Sequence, residues 1–83
     1  MHSHKIYVVA VTENLRDVRI VGMYDSDVYT VDSIVAGLQD KLKGQRYQVS
    51  IYGDNAYIDI VDSNNELVNT YSIISKVAML VND

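Results

Sequence analysis

The chain has 83 residues, 48% hydrophobic and 22% charged, which are the proportions of an ordinary globular domain and not of a disordered chain. Its formal net charge is −4 and its 7 lysines and arginines are dispersed, so we expect no direct binding to nucleic acid. The absence of cysteine excludes disulfides, thiolate metal sites and cysteine nucleophiles. A chain of this length has room for one core, so we expect residues 1–83 to form a single small domain.

The N-terminal segment contains His2 and His4, followed by an apolar run over residues 6–11 that ends at Thr12. This run is too short for a signal-peptide core or a membrane span, so we expect a cytoplasmic protein without membrane association. The two histidines lack a third ligand, and we expect a disordered tail that binds no metal. Residues 6–11 are apolar on both faces, which predicts a central strand covered on both sides.

A second strand is predicted over residues 18–24, forming a hairpin with the first, and a helix follows it. Between strand and helix, Asp25 and Asp27 have side chains typical of capping turns. Thr30 is the expected N-cap and Gly44 the expected C′ residue, which predicts a helix over residues 31–43. Its apolar stripe has spacings of three and four and consists of Val31, Ile34, Val35, Leu38 and Leu42.

A second hairpin is predicted from residues 46–52 and 56–61, around Gly53, Asp54 and Asn55. A two-residue loop brings the apolar residues of both strands to one face, whereas a three-residue loop would place Val49 beside Asp59. We therefore predict the two-residue loop. The apolar face then carries Val49, Ile51, Ile58 and Ile60, and the opposite face carries Ser50, Tyr52, Tyr57, Asp59 and Val61.

The last segment, residues 65–81, has apolar residues at helical spacing, although its β-branched residues lower helix propensity. Ser63 and Glu66 fit a capping box, so we predict a second helix ending near Val81. The resulting order is ββαββα. It predicts an α+β fold with a four-stranded, mainly antiparallel sheet and two helices.

No pattern in the chain specifies a reaction. The only imidazoles are those of His2 and His4, and the glycines form no phosphate-binding loop, so we expect no enzymatic activity and no cofactor. The oxygen-rich segment from Asp62 to Glu66 lacks the glycine and the distal glutamate of a calcium loop. Helix capping explains it more simply, and we expect no metal site.

All aromatic residues of the chain are tyrosines, whose apolar rings and polar tips suit an interaction surface. If the first helix covers Ile6, Val8, Val18 and Ile20, the other face of the sheet carries an apolar set. The candidate partner-binding residues on that face are Tyr7, Val21, Met23, Tyr52, Tyr57 and Asp59. Either the second helix crosses to this face and closes a three-layer domain, or both helices share one face and leave an exposed patch. We favour the exposed patch, which implies a homodimer or a protein target.

The opening Ile-Tyr-Val-Val strand, the Ile-Val-Gly strand and the Asp-Ser before the helix are similar in style to small accessory proteins of phages and bacteria. This resemblance implies a non-enzymatic protein-binding module, of the kind that inhibits or regulates a larger host protein. The alternative is a structural homo-oligomer or assembly subunit. A small-ligand sensor and an acidic DNA mimic are less favoured.

Overall fold

The computed structural model describes residues 2–80, with side chains described for residues 4–77. The elements are β1 (His2–Glu13), β2 (Asp17–Asp25), α1 (Val31–Lys41), β3 (Arg46–Tyr52), β4 (Asn55–Val61) and β5 (Leu67–Leu80). All five strands form one antiparallel sheet in the order β2-β1-β5-β4-β3. The long strands β1 and β5 are therefore central, and β2 and β3 are the two edges.

The predicted second helix is wrong, and with it the prediction of four strands and two helices. Residues 67–80 form β5, which pairs with β1 on one side and β4 on the other. Thr70, Ile73, Ile74 and Val77 are β-branched, so their side chains suit a pleated sheet better than a helix. Over residues 2–80 the chain forms five antiparallel strands and one helix and is mostly β. Val81, where the predicted helix ended, lies outside the described residues.

The predicted capping box at Ser63 and Glu66 is a turn between β4 and β5. The Asp62 carboxylate accepts the backbone N–H groups of Asn64 at 2.8 Å and Glu66 at 3.0 Å. Asn65 has a φ of 61°, the left-handed conformation that asparagine tolerates better than most residues. The same polar residues that could begin a helix here reverse the chain.

The first half follows the sequence prediction more closely. Helix α1 begins at Val31, and Thr30 caps it through a reciprocal pair of hydrogen bonds with Ser33. The helix ends at Lys41, two residues before the predicted end. The expected disordered tail is wrong, because residues 2–5 belong to β1 and pair with residues 77–80 of β5.

The β3–β4 hairpin has the predicted two-residue loop, since Tyr52 pairs with Asn55 across Gly53 and Asp54. Gly53 has a φ of 61°, the positive value required at the first loop position of a type II′ turn. Consequently Val49 lies opposite Ile58, as predicted.

The described side chains form one apolar core, which lies between α1 and one face of the sheet. The sheet contributes the buried residues Tyr7, Val9, Val11, Ala56, Ile58, Ile60 and Ile73, and the helix side contributes Val31, Ile34, Val35, Leu38 and Leu42. The helix therefore covers the odd-numbered residues of β1, whereas we predicted that it covers Ile6 and Val8. Among residues 2–80 no helix lies on the other face, which we call the open face.

Candidate protein-binding surface

The pairing registers show which side chains share the open face. Val8 lies between Met23 of β2 and Ile74 of β5. One step along β1 on the same face, Ala10 lies between Ile20 and Ser72. Neighbouring side chains on one face of a strand are about 7 Å apart, so these positions form two adjacent rows across the sheet.

Apolar side chains in these two rows form a band across the sheet, which Ser72 interrupts in the second row, and we call it the apolar band. It consists of Ile20 and Met23 of β2, Val8 and Ala10 of β1, Ile74 of β5, Tyr57 of β4 and Tyr52 of β3. At about 4.8 Å per strand, a band that crosses five strands is roughly 19 Å long. Ile20, Met23 and Tyr52 are exposed, and the central members are half-buried because their neighbours partly cover them.

Tyr52 and Tyr57 form the β3–β4 end of the band. Their ring centroids are 6.0 Å apart with an interplanar angle of 61°, an edge-to-face contact between diagonal neighbours on the two strands. Tyr52 is 66% exposed and Tyr57 is half-buried, so the contact between their rings lies at the surface of the sheet and not in the core.

Polar side chains border the apolar band on both sides. On one side Ile6 is flanked by Asp25 and Lys76. On the other side Thr70 donates a hydrogen bond to the Asp59 carboxylate at 3.1 Å. An apolar centre with a polar rim is the usual anatomy of a protein–protein interface.

The predicted partner-binding residues do not all lie on this face. Tyr52, Tyr57, Met23 and Asp59 do. Tyr7 is wrongly placed, because it is buried beneath α1 at 6% exposure and lies on the opposite face.

Val21 marks an irregularity in the edge strand β2. The β1–β2 register shifts between Val9 and Ala10, which leaves Val21 as the extra residue of a β-bulge. Its side chain is exposed at the bulge.

Sequence reasoning missed four members of the apolar band: Val8, Ala10, Ile20 and Ile74. Val8 and Ile20 were predicted to lie under the helix, and Ile74 was predicted to be helical. Once β5 is recognised as a strand, its pairing with both β1 and β4 connects Val8 through Ile74 to the β3–β4 hairpin.

The two shortest ion pairs lie on the helix-covered side, away from the apolar band. The Lys5 ammonium contacts the Asp54 carboxylate at 2.6 Å, and this hydrogen bond raises the pKa of Lys5 above its ordinary value. A hydrogen bond to Glu13 raises the pKa of Arg19 in the same way. Both pairs involve odd-numbered residues of β1 and therefore lie on the other face from the apolar band.

Three potential metal ligands meet at one end of the sheet, where a metal site was not predicted. His4 Nε2 is 2.9 Å from Asp25 Oδ1, and the ligand atoms of His4, Asp25 and Asp27 lie within 4.8 Å of one another. The backbone N–H of Asp27, and to a smaller extent His4, lower the pKa of Asp25 below its ordinary value. Hydrogen bonding within an exposed turn accounts for this arrangement.

A shallow groove of about 150 Å³ lies beside α1. The rings of Tyr24 and Tyr29 meet edge to face at 5.0 Å along it, and Gly37 and Lys41 belong to its helical wall. The groove is open to solvent and contains no buried polar group aimed into it among the described side chains.

Comparison with known proteins gives no match from which a function could be transferred to this chain. No protein-family model matches the chain. No curated protein and no solved structure matches it either. Within the described part of the chain, no helix is long and apolar enough to cross a membrane.

Proposed function

We propose that this protein is a non-enzymatic, cytoplasmic binding module that recognises a protein partner through the open face. The observation that carries the proposal is the apolar band, which crosses all five strands on a face that no helix of residues 2–80 covers. Contiguous exposed apolar surface of this kind is a common mark of protein-interaction sites. The role of an inhibitor or regulator of a larger host protein fits a small domain with one such face.

The available area is sufficient for a specific complex. A stable interface needs about 800 Å² from each partner. The five strands contain 12, 9, 7, 7 and 14 residues, which at about 3.3 Å per residue and about 4.8 Å per strand give the open face a flat area of roughly 780 Å². The open face is therefore about as large as a stable interface needs.

The chemistry of the partner follows from the surface and the charge. The partner should present an apolar centre that packs on the apolar band. It should also offer hydrogen-bond donors or acceptors to the hydroxyl groups of Tyr52 and Tyr57. Because this chain has a net charge of −4, a partner with a positive potential would associate faster and be selected over acidic surfaces.

A matched pair of valines tests the proposal. Val18, on the open face beside Ile20, is 68% exposed, and Val28, in the turn before α1, is 72% exposed. Lysine at either site removes a similar exposed apolar side chain and adds the same charge. Val18→Lys should weaken capture of the partner from a lysate of the source cell, whereas Val28→Lys should retain it.

The experiment is quantitative affinity capture with mass spectrometry, followed by a binding isotherm with the purified partner. Ile20→Lys serves as a second variant on the open face, and thermal unfolding confirms that each variant is folded. If both Val18→Lys and Ile20→Lys still capture the partner as well as the wild type does, the open face is not the binding surface.

A further inference from the structure

The edge strand β3 is a regular strand that lacks the bulge, proline or lysine that commonly prevents an edge strand from pairing with another chain. The β3–β4 register continues without a bulge from Arg46 to Tyr52. The strand contains no proline and no lysine, the residues that most often block an exposed edge. Ile51 near its end is 48% exposed. The edge is therefore open to another strand.

The opposite edge is protected. Strand β2 contains the bulge at Val21 and carries charged residues at Asp17, Arg19 and Asp25. Antiparallel pairing of two β2 strands about Val21 would place Asp17 opposite Asp25 of the second copy, and like charges directly opposite destabilise a sheet. Of the two edges, β3 is the one suited to association.

The hairpin fixes which backbone groups of β3 are free. In a two-residue hairpin the residues that flank the loop form a hydrogen-bonded pair, here Tyr52 and Asn55. Even-numbered residues of β3 therefore direct their N–H and C=O groups toward β4. Tyr47, Val49 and Ile51 direct theirs outward, symmetrically about Val49.

We infer that β3 pairs antiparallel with β3 of a second copy of this chain, on a two-fold axis through Val49. The outward backbone groups then pair reciprocally, Val49 with Val49 and Tyr47 with Ile51. Side chains match as well: the Arg46 guanidinium lies opposite the Tyr52 ring, Gln48 lies opposite Ser50, and Tyr47 lies opposite Ile51. Each is a favourable cross-strand combination, and no like charges meet.

This dimer goes beyond the open face as a binding site and does not depend on it. Pairing of strand edges about a two-fold axis perpendicular to the sheet produces one continuous sheet of two copies. Both α1 helices then lie on one side and both apolar bands on the other. The dimer would thus present two copies of the proposed binding surface in one direction, which favours bivalent recognition.

Two variants that differ only at residue 50 test the register. Gln48→Lys with Ser50→Lys places like charges opposite each other across the axis, whereas Gln48→Lys with Ser50→Glu places opposite charges there. Within each chain Lys at position 48 faces Asp59 in both variants, so that cross-strand pair is the same in both. We expect the dissociation constants to differ by at least about tenfold, and the gap to narrow at high salt.

The measurement is sedimentation velocity over a concentration series from about 10 to about 500 µM, because an edge-to-edge contact is small and its dimer should be weak. A wild-type protein that stays monomeric throughout overturns the inference. Equal dissociation constants for the two double variants also overturn it, and would mean that the protein self-associates through another surface. Val18→Lys, on the open face, should leave dimerisation unchanged.

Amide hydrogen exchange of the unaltered protein gives a second test. On dilution, the amides of Tyr47, Val49 and Ile51 should lose protection, whereas those of Gln48 and Ser50, already directed toward β4, should change less. This alternation is specific to an edge pairing, and concentration-dependent protection without it would refute the β3 dimer.

Discussion

Two tyrosines in opposite environments provide the sharpest test of which face of the sheet is open. Tyr7 is 6% exposed beneath α1, whereas Tyr52 is 66% exposed on the open face. Alanine at position 7 deletes a buried ring, which by comparison with other large-to-small core changes costs about 3–5 kcal/mol. Alanine at position 52 removes only the contact with Tyr57, which is worth about 0.2–1 kcal/mol.

The destabilisation by Tyr7→Ala should therefore exceed that by Tyr52→Ala by at least about 2 kcal/mol, which is a large difference for this chain. A domain of this length has a total free energy of unfolding of about 4–12 kcal/mol, so Tyr7→Ala removes a large fraction of it. With a urea m value of about 1 kcal/mol per molar, the two unfolding midpoints should differ by about 2 M. Urea titrations followed by far-UV circular dichroism measure this difference.

The control is Tyr7→Phe, which keeps the buried ring and should leave the midpoint close to that of the wild type. If Tyr52→Ala is as destabilising as Tyr7→Ala, or more so, α1 covers the other face and the apolar band is core. That result would refute both the assignment of faces and the proposed binding surface.

Three further predictions concern the band and the turn at its end. Replacing both Tyr52 and Tyr57 by alanine should weaken partner association by about 2 kcal/mol or more, measured by calorimetry with the purified partner, and unchanged affinity would exclude them as anchors. Because folding lowers the pKa of Asp25, its contribution to stability is present above the ordinary carboxyl pKa of about 4 and is lost as the pH falls through the lowered value. The difference in Tm between wild type and Asp25→Asn should therefore shrink on acidification, and a constant difference would contradict this. EDTA should leave the Tm unchanged, since hydrogen bonds account for the turn around His4, and a clear decrease would reveal a bound cation there.

The elements that sequence reasoning predicted correctly are those specified by local interactions. Thr30 and Ser33 cap α1 within one turn, and Gly53 supplies the positive φ that fixes the β3–β4 loop. Each signal lies within a few residues of the structure that it determines. The hairpin register and the contact of Tyr52 with Tyr57 follow from that one loop.

Strand β5 could not be predicted in the same way, because its partners are distant in the chain. Leu67, Tyr71 and Ile74 have helical spacing, and a helix needs no partner for its backbone. The β5 backbone instead pairs with β4 and with β1, where Val9 meets Ile73 across a sequence separation of 64 residues. The β-branched residues of this segment are the feature of the sequence that favours a strand over a helix.

The wrong assignment of faces follows from the missing strand. Residues 6–11 of β1 are all apolar, so alternation within β1 does not indicate which side faces a helix. Strand β4 does show alternation, with Ala56, Ile58 and Ile60 buried and Tyr57 and Asp59 half-buried between them. Only β5, by pairing with both strands, carries that alternation across the sheet, where Ile73 lies between Ala56 and Val9.

Apolar residues on the open face of β1 and its neighbours are not required by the fold. The same face tolerates polar residues at equivalent sheet positions, with Ser72 inside the second row of the band and Thr12 and Thr70 in the next row. In a two-layer protein whose second face is in contact with solvent, threonine or serine could replace Val8, Ile20 and Ile74 at little cost in folding stability. The strands of such a sheet usually alternate apolar residues toward the core with polar residues toward solvent. The concentration of apolar side chains in one band, with a polar border on each side, is therefore a property of the surface and not of the core. The proposed interaction at that band would give this sequence a physical reason for keeping it.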